Sequence, residues 1–203
     1  MKLRIDPPAA RTEGYSGVMR TPDLAKCVLN FVMQPQQFSN WCWAAIAASL
    51  VNFYGIGRAK QEEIAASVVG FGRDASGEPI RGGSNVPAML DEALRASGCY
   101  SHWSPGRPTF ERIAREIEAG RPLCVSIEWR TGGGHYVVIS GHHSESRELH
   151  VEDPKHGRSV QRFDDFPNRY QGCGAIWRGV FWTCSPDLAP RTEFSAMATA
   201  PAK

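Results

Sequence analysis

The chain predicts an α+β protein in which a run of helices is followed by a run of strands. Between residues 41 and 120, apolar residues recur at three- and four-residue spacing. Between residues 122 and 183, short runs rich in Val, Ile, Trp and Phe are broken by Gly, Asn, Asp and Pro. No internal repeat or low-complexity tract interrupts either half.

Residues 1–25 are rich in Pro, Arg and Gly, lack periodicity and read as a flexible arm. In the first helix, Cys42, Ala45, Ile46, Ser49, Leu50 and Phe53 share the helical spacing, while Ala44, Ala47 and Ala48 keep the other faces thin. A helix small on every side can be buried on several sides, so this one is expected at the centre of the fold. Ser39 or Asn40 is positioned to cap it, and Gly55 and Gly57 to end it. Lys60–Val69 reads as a second, amphipathic helix. A third is expected after a Ser84 or Asn85 cap, with Val86, Met89, Leu90, Ala93 and Leu94 as its stripe. Thr109 opens a fourth, carried by Phe110, Ile113 and Ile117 and stopped by Gly120-Arg121-Pro122. The strands follow as "PLCVSIEW", "GHYVVISG", "ELHVED", "SVQRF" and "AIWRGVFW". From Ser185 the sequence loses pattern again and reads as a disordered tail, 185–203.

Composition removes several functions. The net charge of +2, without basic runs, gives nucleic acid no footprint to bind. The longest apolar stretch, Trp41 to Phe53, is shorter than the roughly 20 residues a membrane span requires. The first residues carry no apolar signal-peptide core, so the expected location is the producer's cytoplasm, or outside it by a signal-peptide-independent route. The cysteines stand at 27, 42, 99, 124, 173 and 184 with no CxxC pair, and no His pair has HExxH spacing, so no metal site is expected. Cys124 reads as a buried strand residue, and a Cys173–Cys184 disulfide stays open.

Cys42 differs from the other cysteines. It stands between Trp41 and Trp43 at the mouth of the alanine-rich helix, where the helix dipole favours negative charge. A nucleophilic thiol needs a base, and that base an orienting group. In "GGGHYVVISG", His135 shares strand parity with Val137 and Ile139, and the preceding glycines would let the backbone approach another element closely. In "ELHVEDP", Asp153 shares parity with Leu149 and Val151, and a buried carboxylate must find donors. A hairpin symmetric about Ser144 places His135 directly opposite Asp153, with side-chain roots about 5 Å apart on one face. A slip of two residues would leave the pair diagonal. His142, His143 and His156 fall in polar loops and are expected in solvent. His150 points outward, and His102 lies in a loop.

Together "QQFSNWCWAA", "GGGHYVVISG" and "VEDP", in that order, resemble the papain-like cysteine proteases, nearest to the bacterial branch that includes avirulence-effector proteases of plant pathogens. The resemblance spans roughly residues 30–184. Asn40 and Trp41 replace the Gly-Ser type residues of plant papains, and Asp153 stands where papain uses asparagine; both departures are shared with the bacterial branch. The resemblance implies a domain over 26–184 in which a helical part, 26–120, packs its nucleophile helix on an antiparallel β part, 121–184, with the cleft between them. It implies Cys42, His135 and Asp153 as the catalytic residues of an endopeptidase working through an acyl-enzyme. Gln36, six residues before the nucleophile, would serve the oxyanion hole, with Gln34 and Gln37 as competitors. The partner implied is a protein or peptide substrate bound by a monomer, with no cofactor. Transglutaminases and arylamine acetyltransferases use the same trio in the same order, and degenerate peptidase domains serve as binding modules, so both remain alternatives. Specificity is expected in the loops Gly70–Ser84 and Ser101–Pro108.

Overall fold

The computed structural model describes residues 25–70, 76 and 85–186. The expectations for the N-terminal arm, for most of the 70–84 loop and for nearly all of the C-terminal tail lie outside these residues.

Helix α1 (Cys42–Phe53) is buried at every position from Cys42 to Val51. Its alanines let neighbours approach from several sides. Helices α2 (Gln61–Val69) and α3 (Leu90–Ala96) pack on it, and the sheet closes the opposite flank. Trp41, Trp43, Ile46 and Leu50 meet Leu90 and Leu94 from the helical side, and Cys124, Val138 and Phe181 from the sheet. Each fully buried Leu or Ile contributes about 2 kcal/mol relative to exposure.

Strands β1 (Lys26–Val28), β2 (Tyr100–Pro105), β3 (Leu123–Trp129), β4 (Gly134–His143), β5 (Glu148–Asp153), β6 (Gly157–Arg162) and β7 (Ala175–Thr183) form one seven-stranded antiparallel sheet. Its order is β2-β7-β3-β4-β5-β6, and β1 pairs with the end of β4 that β3 leaves free. Gly141 allows that pairing, since a Cβ there would come within 2.9 Å of the Cys27 carbonyl oxygen. Helix α4 (Phe110–Glu118) covers the second face of the sheet, setting Phe110, Ile113 and Ile117 against Val125, Val137, Ile139 and Val151. Because both faces are covered, β4 reads as a continuous apolar run rather than an alternation.

The α+β order holds, but strands β1 and β2 come from the first half of the chain and extend the sheet. Most of Ser101–Pro108, read above as loop, belongs to edge strand β2, where His102 stacks on Trp182 at 5.6 Å. An edge strand that leaves most side chains in solvent carries no apolar alternation to betray it. Helix α3 starts at Leu90, not after Asn85. Pro87 disfavours helical backbone at Val86, and the Asn85 side chain is engaged elsewhere.

Candidate active site

Cys42 is the first residue of α1 and 9% exposed. No side chain caps this helix. The expected caps are used differently: Ser39 Oγ accepts from Asn85 Nδ2 at 2.9 Å, and Asn40 Nδ2 donates to the Asn85 carbonyl at 2.8 Å. Asn85 Oδ1 accepts in turn from the Asn40 N–H at 3.0 Å, and Trp43 Nε1 donates to the Val86 carbonyl at 3.2 Å. The uncapped helix end thus presents its positive pole to the thiol.

His135 lies near the start of β4 and is 6% exposed. The glycines before it serve a different purpose from the close approach expected. Gly132 and Gly133 take positive φ, 95° and 86°, in the tight turn that returns β3 into β4, and nothing lies within 4 Å of where their Cβ atoms would be. That turn brings Trp129 back over His135, with ring centroids 5.6 Å apart and planes inclined by 22°.

Asp153 ends β5 at 1% exposure. Its Oδ1 is 2.9 Å from His135 Nε2 and also accepts from the backbone N–H groups of Lys155, at 2.7 Å, and His156, at 3.0 Å. Its Oδ2 accepts from the Tyr170 hydroxyl at 2.9 Å. The His–Asp contact forms without the predicted register. Val138, not His135 plus a symmetric count, sets the pairing by standing opposite Glu152, so His135 and Asp153 are diagonal. The physical reason is the connection: the turn covers residues 144–147, which shifts its centre beyond Ser144, and the ladder is irregular between Ile139 and Gly141.

Burial disfavours the protonated His135 ring, but hydrogen bonds and charge attraction from Asp153 and Cys42 outweigh it and raise its pKa to about 9. For Asp153, burial favours the neutral acid, yet His135 and the Lys155 and His156 N–H groups hold its pKa below the ordinary value. Both shifts point to an imidazolium–carboxylate pair. Since Nε2 belongs to Asp153, Nδ1 is the ring nitrogen left for the thiol that touches the ring.

Gln36 sits in the loop before Cys42. Its Nε2 donates to the Phe38 and Ser39 carbonyls, each at 2.9 Å, and its Oε1 is buried without a hydrogen-bond partner. The Gln34 side chain turns away, donating to the Ala59 carbonyl at 3.2 Å, and Gln37 is exposed. A cavity of about 370 Å³ opens beside Cys42 and His135, walled by Trp43, Pro87, Met89, Ser126 and Tyr136. A larger hollow of about 510 Å³ borders Asp153 but has neither cysteine nor histidine in its lining, so the smaller one is the candidate cleft.

Tyr170 and Trp129 escaped the sequence reading. They stack with planes only 4° apart, so one aromatic column runs from His135 through Trp129 to Tyr170. The signal for Trp129 was its place across a glycine-rich turn from His135; Tyr170 lies in a stretch without periodicity. Among the remaining histidines, His142 was expected in solvent and is fully buried, 3.3 Å from Glu118 Oε1 and 3.2 Å from Ser144 Oγ. Strand β1 pairs directly with it, which accounts for its cover. His156 is exposed, as expected, although its ring lies edge-on to His135 at 6.3 Å.

A helical layer, an antiparallel sheet and a cysteine–histidine cleft between them define a papain-like cysteine peptidase. Residues 26–171 match the family described as "Papain-like cysteine protease AvrRpt2", and the chain belongs to that family. No curated protein matches the sequence. Among solved structures, a double glycine motif protease from an AMS/PCAT transporter, in complex with the leader peptide, aligns at 17% identity and TM-score 0.47, covering 77% of this chain and 94% of that one. Xylellain, a cysteine protease from Xylella fastidiosa, aligns at 11% identity and TM-score 0.42, covering 78% and 85%. The peptidase domain of Streptococcus mutans ComA aligns at 19% identity and TM-score 0.41, covering 74% and 97%. Among the described residues, no helix is long and apolar enough to cross a membrane.

Proposed function

We propose that this cysteine peptidase is an endopeptidase acting through Cys42, His135 and Asp153, with an acyl-enzyme intermediate. The observation that carries the reading is the division of the His135 ring: Asp153 holds Nε2 at 2.9 Å, which leaves Nδ1 for the thiol. The catalytic unit is residues 26–184, and the substrate is a protein or peptide chain laid in the cleft beside Trp43 and Tyr136.

In this reading, His135 and the helix pole place positive charge beside the sulfur, which attacks the scissile carbonyl carbon. The C–S bond forms as the carbonyl electrons move to oxygen. The Cys42 N–H, at the helix start, and Gln36 Nε2 stabilise that oxyanion. Gln36 does so by exchanging one of its loop carbonyls for the substrate oxygen. A single oxyanion donor is worth about 3 kcal/mol in the transition state. His135 then protonates the leaving amine, and water attacks the thioester with His135 as base.

An effector role follows the family's avirulence-protease character and is part of the proposal. The test is to incubate the protein, and separately Cys42→Ala, with a host proteome and sequence the new N-termini. New termini are expected only with the unsubstituted protein. The same termini from Cys42→Ala would remove the thiol mechanism, and none from either would remove the endopeptidase reading.

A further inference from the structure

We infer that Gln61 is a positioning residue for the oxyanion hole: it fixes the backbone on both sides of Gln36. The inference rests on the role proposed for Gln36 above.

Gln61 opens helix α2, 25 residues along the chain from Gln36. It is 1% exposed, although its neighbours Glu62 and Glu63 are acidic and the helix is short. A carboxamide kept from water must find partners, because an unpaired one is costly. Both of its polar atoms turn to the segment that carries Gln36. Oε1 accepts from the Gln37 N–H at 3.0 Å, and Nε2 donates to the Pro35 carbonyl at 2.8 Å and approaches Gln34 Oε1 at 3.4 Å.

Residues 35 and 37 are thus gripped by one side chain, with residue 36 between them. This segment has no strand partner of its own, so the Gln61 amide supplies the hydrogen bonds that a neighbouring strand would. The third anchor comes from the other half of the protein: the Gln36 N–H donates to the Pro154 carbonyl at 2.8 Å, next to Asp153. Gln61 therefore references the oxyanion donor to the helical layer, and Pro154 references it to the turn that holds the carboxylate. Gln34 is held independently, its N–H by Ser49 Oγ at 2.9 Å and its amide by Ala59, so the segment does not depend on Gln61 merely to stay attached.

Oxyanion donors work by being in place before charge develops, and a displacement of about 1 Å can cost on the order of 10²-fold in rate. Removing Gln61 should therefore weaken oxyanion binding while sparing the thiol–imidazole pair.

The test compares Gln61→Met, Gln36→Ala and their double variant in the full chain, with two probes of Cys42. Acetyl-Leu-Leu-norleucinal adds reversibly to the thiol: a C–S bond forms, the carbonyl electrons go to oxygen, and the oxygen lodges in the oxyanion hole. Iodoacetamide alkylates the same sulfur with loss of iodide and builds no oxyanion. We expect Gln61→Met to weaken the aldehyde about tenfold or more while alkylation stays within about twofold. We also expect Gln36→Ala to add little in the Gln61→Met background, since the two act on one interaction. Unchanged aldehyde affinity in Gln61→Met, with Gln36→Ala impaired, overturns the inference, and so does full additivity or an equal loss of alkylation. If Gln36→Ala binds the aldehyde normally, the Gln36 reading itself has failed, and Gln61 falls with it. Should Gln61→Met not fold, Gln61→Asn keeps a polar group but shortens the reach, and must show the same split between the probes.

Discussion

Tyr170 donates its hydroxyl hydrogen to Asp153 Oδ2 at 2.9 Å, on the oxygen that His135 does not use. The carboxylate is therefore held from both ends, and its orientation does not depend on the imidazole alone. Tyr170→Phe keeps the ring and its stacking on Trp129 but leaves Oδ2 buried with one donor fewer. The expected cost is about 1–3 kcal/mol of stability, read by urea unfolding. The Asp153 carboxyl should also become easier to protonate, so the acid limb of kcat/KM should move to higher pH. A uniform loss across the pH range would mean that Tyr170 only supports the fold.

What was legible in the sequence, and what was not, follows from the range over which each signal acts. Helix α1 announced itself because Ala44, Ala47 and Ala48 beside Ile46 and Leu50 have few other uses. Strand parity placed His135 and Asp153 on one face, because side-chain alternation survives an error in register of two residues. The register itself was hidden, since a turn over 144–147 and one irregular pair beyond Ile139 cannot be counted from residue types. Ser39 and Asn40 looked like caps because that is their local preference, but Asn85 outcompeted the helix for them. The contacts of Tyr170 and Gln61 reach across 17 and 24 residues between a turn or a helix end and a loop, where no period exists to read.

The pKa shifts set a pH window. His135 is raised from 6.5 to about 9, so its contribution to stability is complete below about 6.5 and is lost as pH rises through 9. Asp153 is depressed below 3.8, so its contribution is present above 3.8 and is lost as pH falls through the depressed value. Stability measured by denaturant unfolding should form a plateau between these limits. Turnover that depends on the imidazolium should have its alkaline limb near pH 9, and Asp153→Asn should move that limb down. A limb that stays in place in Asp153→Asn would detach the carboxylate from the histidine's titration.

The three site residues should differ in the size of their effect. Cys42→Ala should abolish turnover with the fold intact, because in the proposed mechanism Cys42 supplies the bond-forming atom. His135→Ala should lose nearly as much. Asp153→Ala should retain a little activity, since the stacked Trp129 still restrains the ring. Single-turnover kinetics on a fluorogenic peptide, beside circular dichroism of each variant, would check this order. Equal losses from Asp153→Ala and Cys42→Ala would show that orientation and nucleophile cannot be separated.

Asn85 ties one wall of the cleft to the loop before Cys42 through Asn40 and Ser39. It is exposed, so water can replace its bonds, and Asn85→Ala should change stability by less than about 1 kcal/mol. The wall it holds carries Pro87 and Met89, which face the cavity beside Cys42. Freed from Asn40, that wall should bind substrate less well without altering the chemistry at sulfur. KM should therefore rise several-fold with kcat nearly constant, and the rate of Cys42 alkylation by iodoacetamide should stay the same. A fall in kcat with KM unchanged would instead show that the Asn40–Asn85 pair positions the nucleophile loop itself.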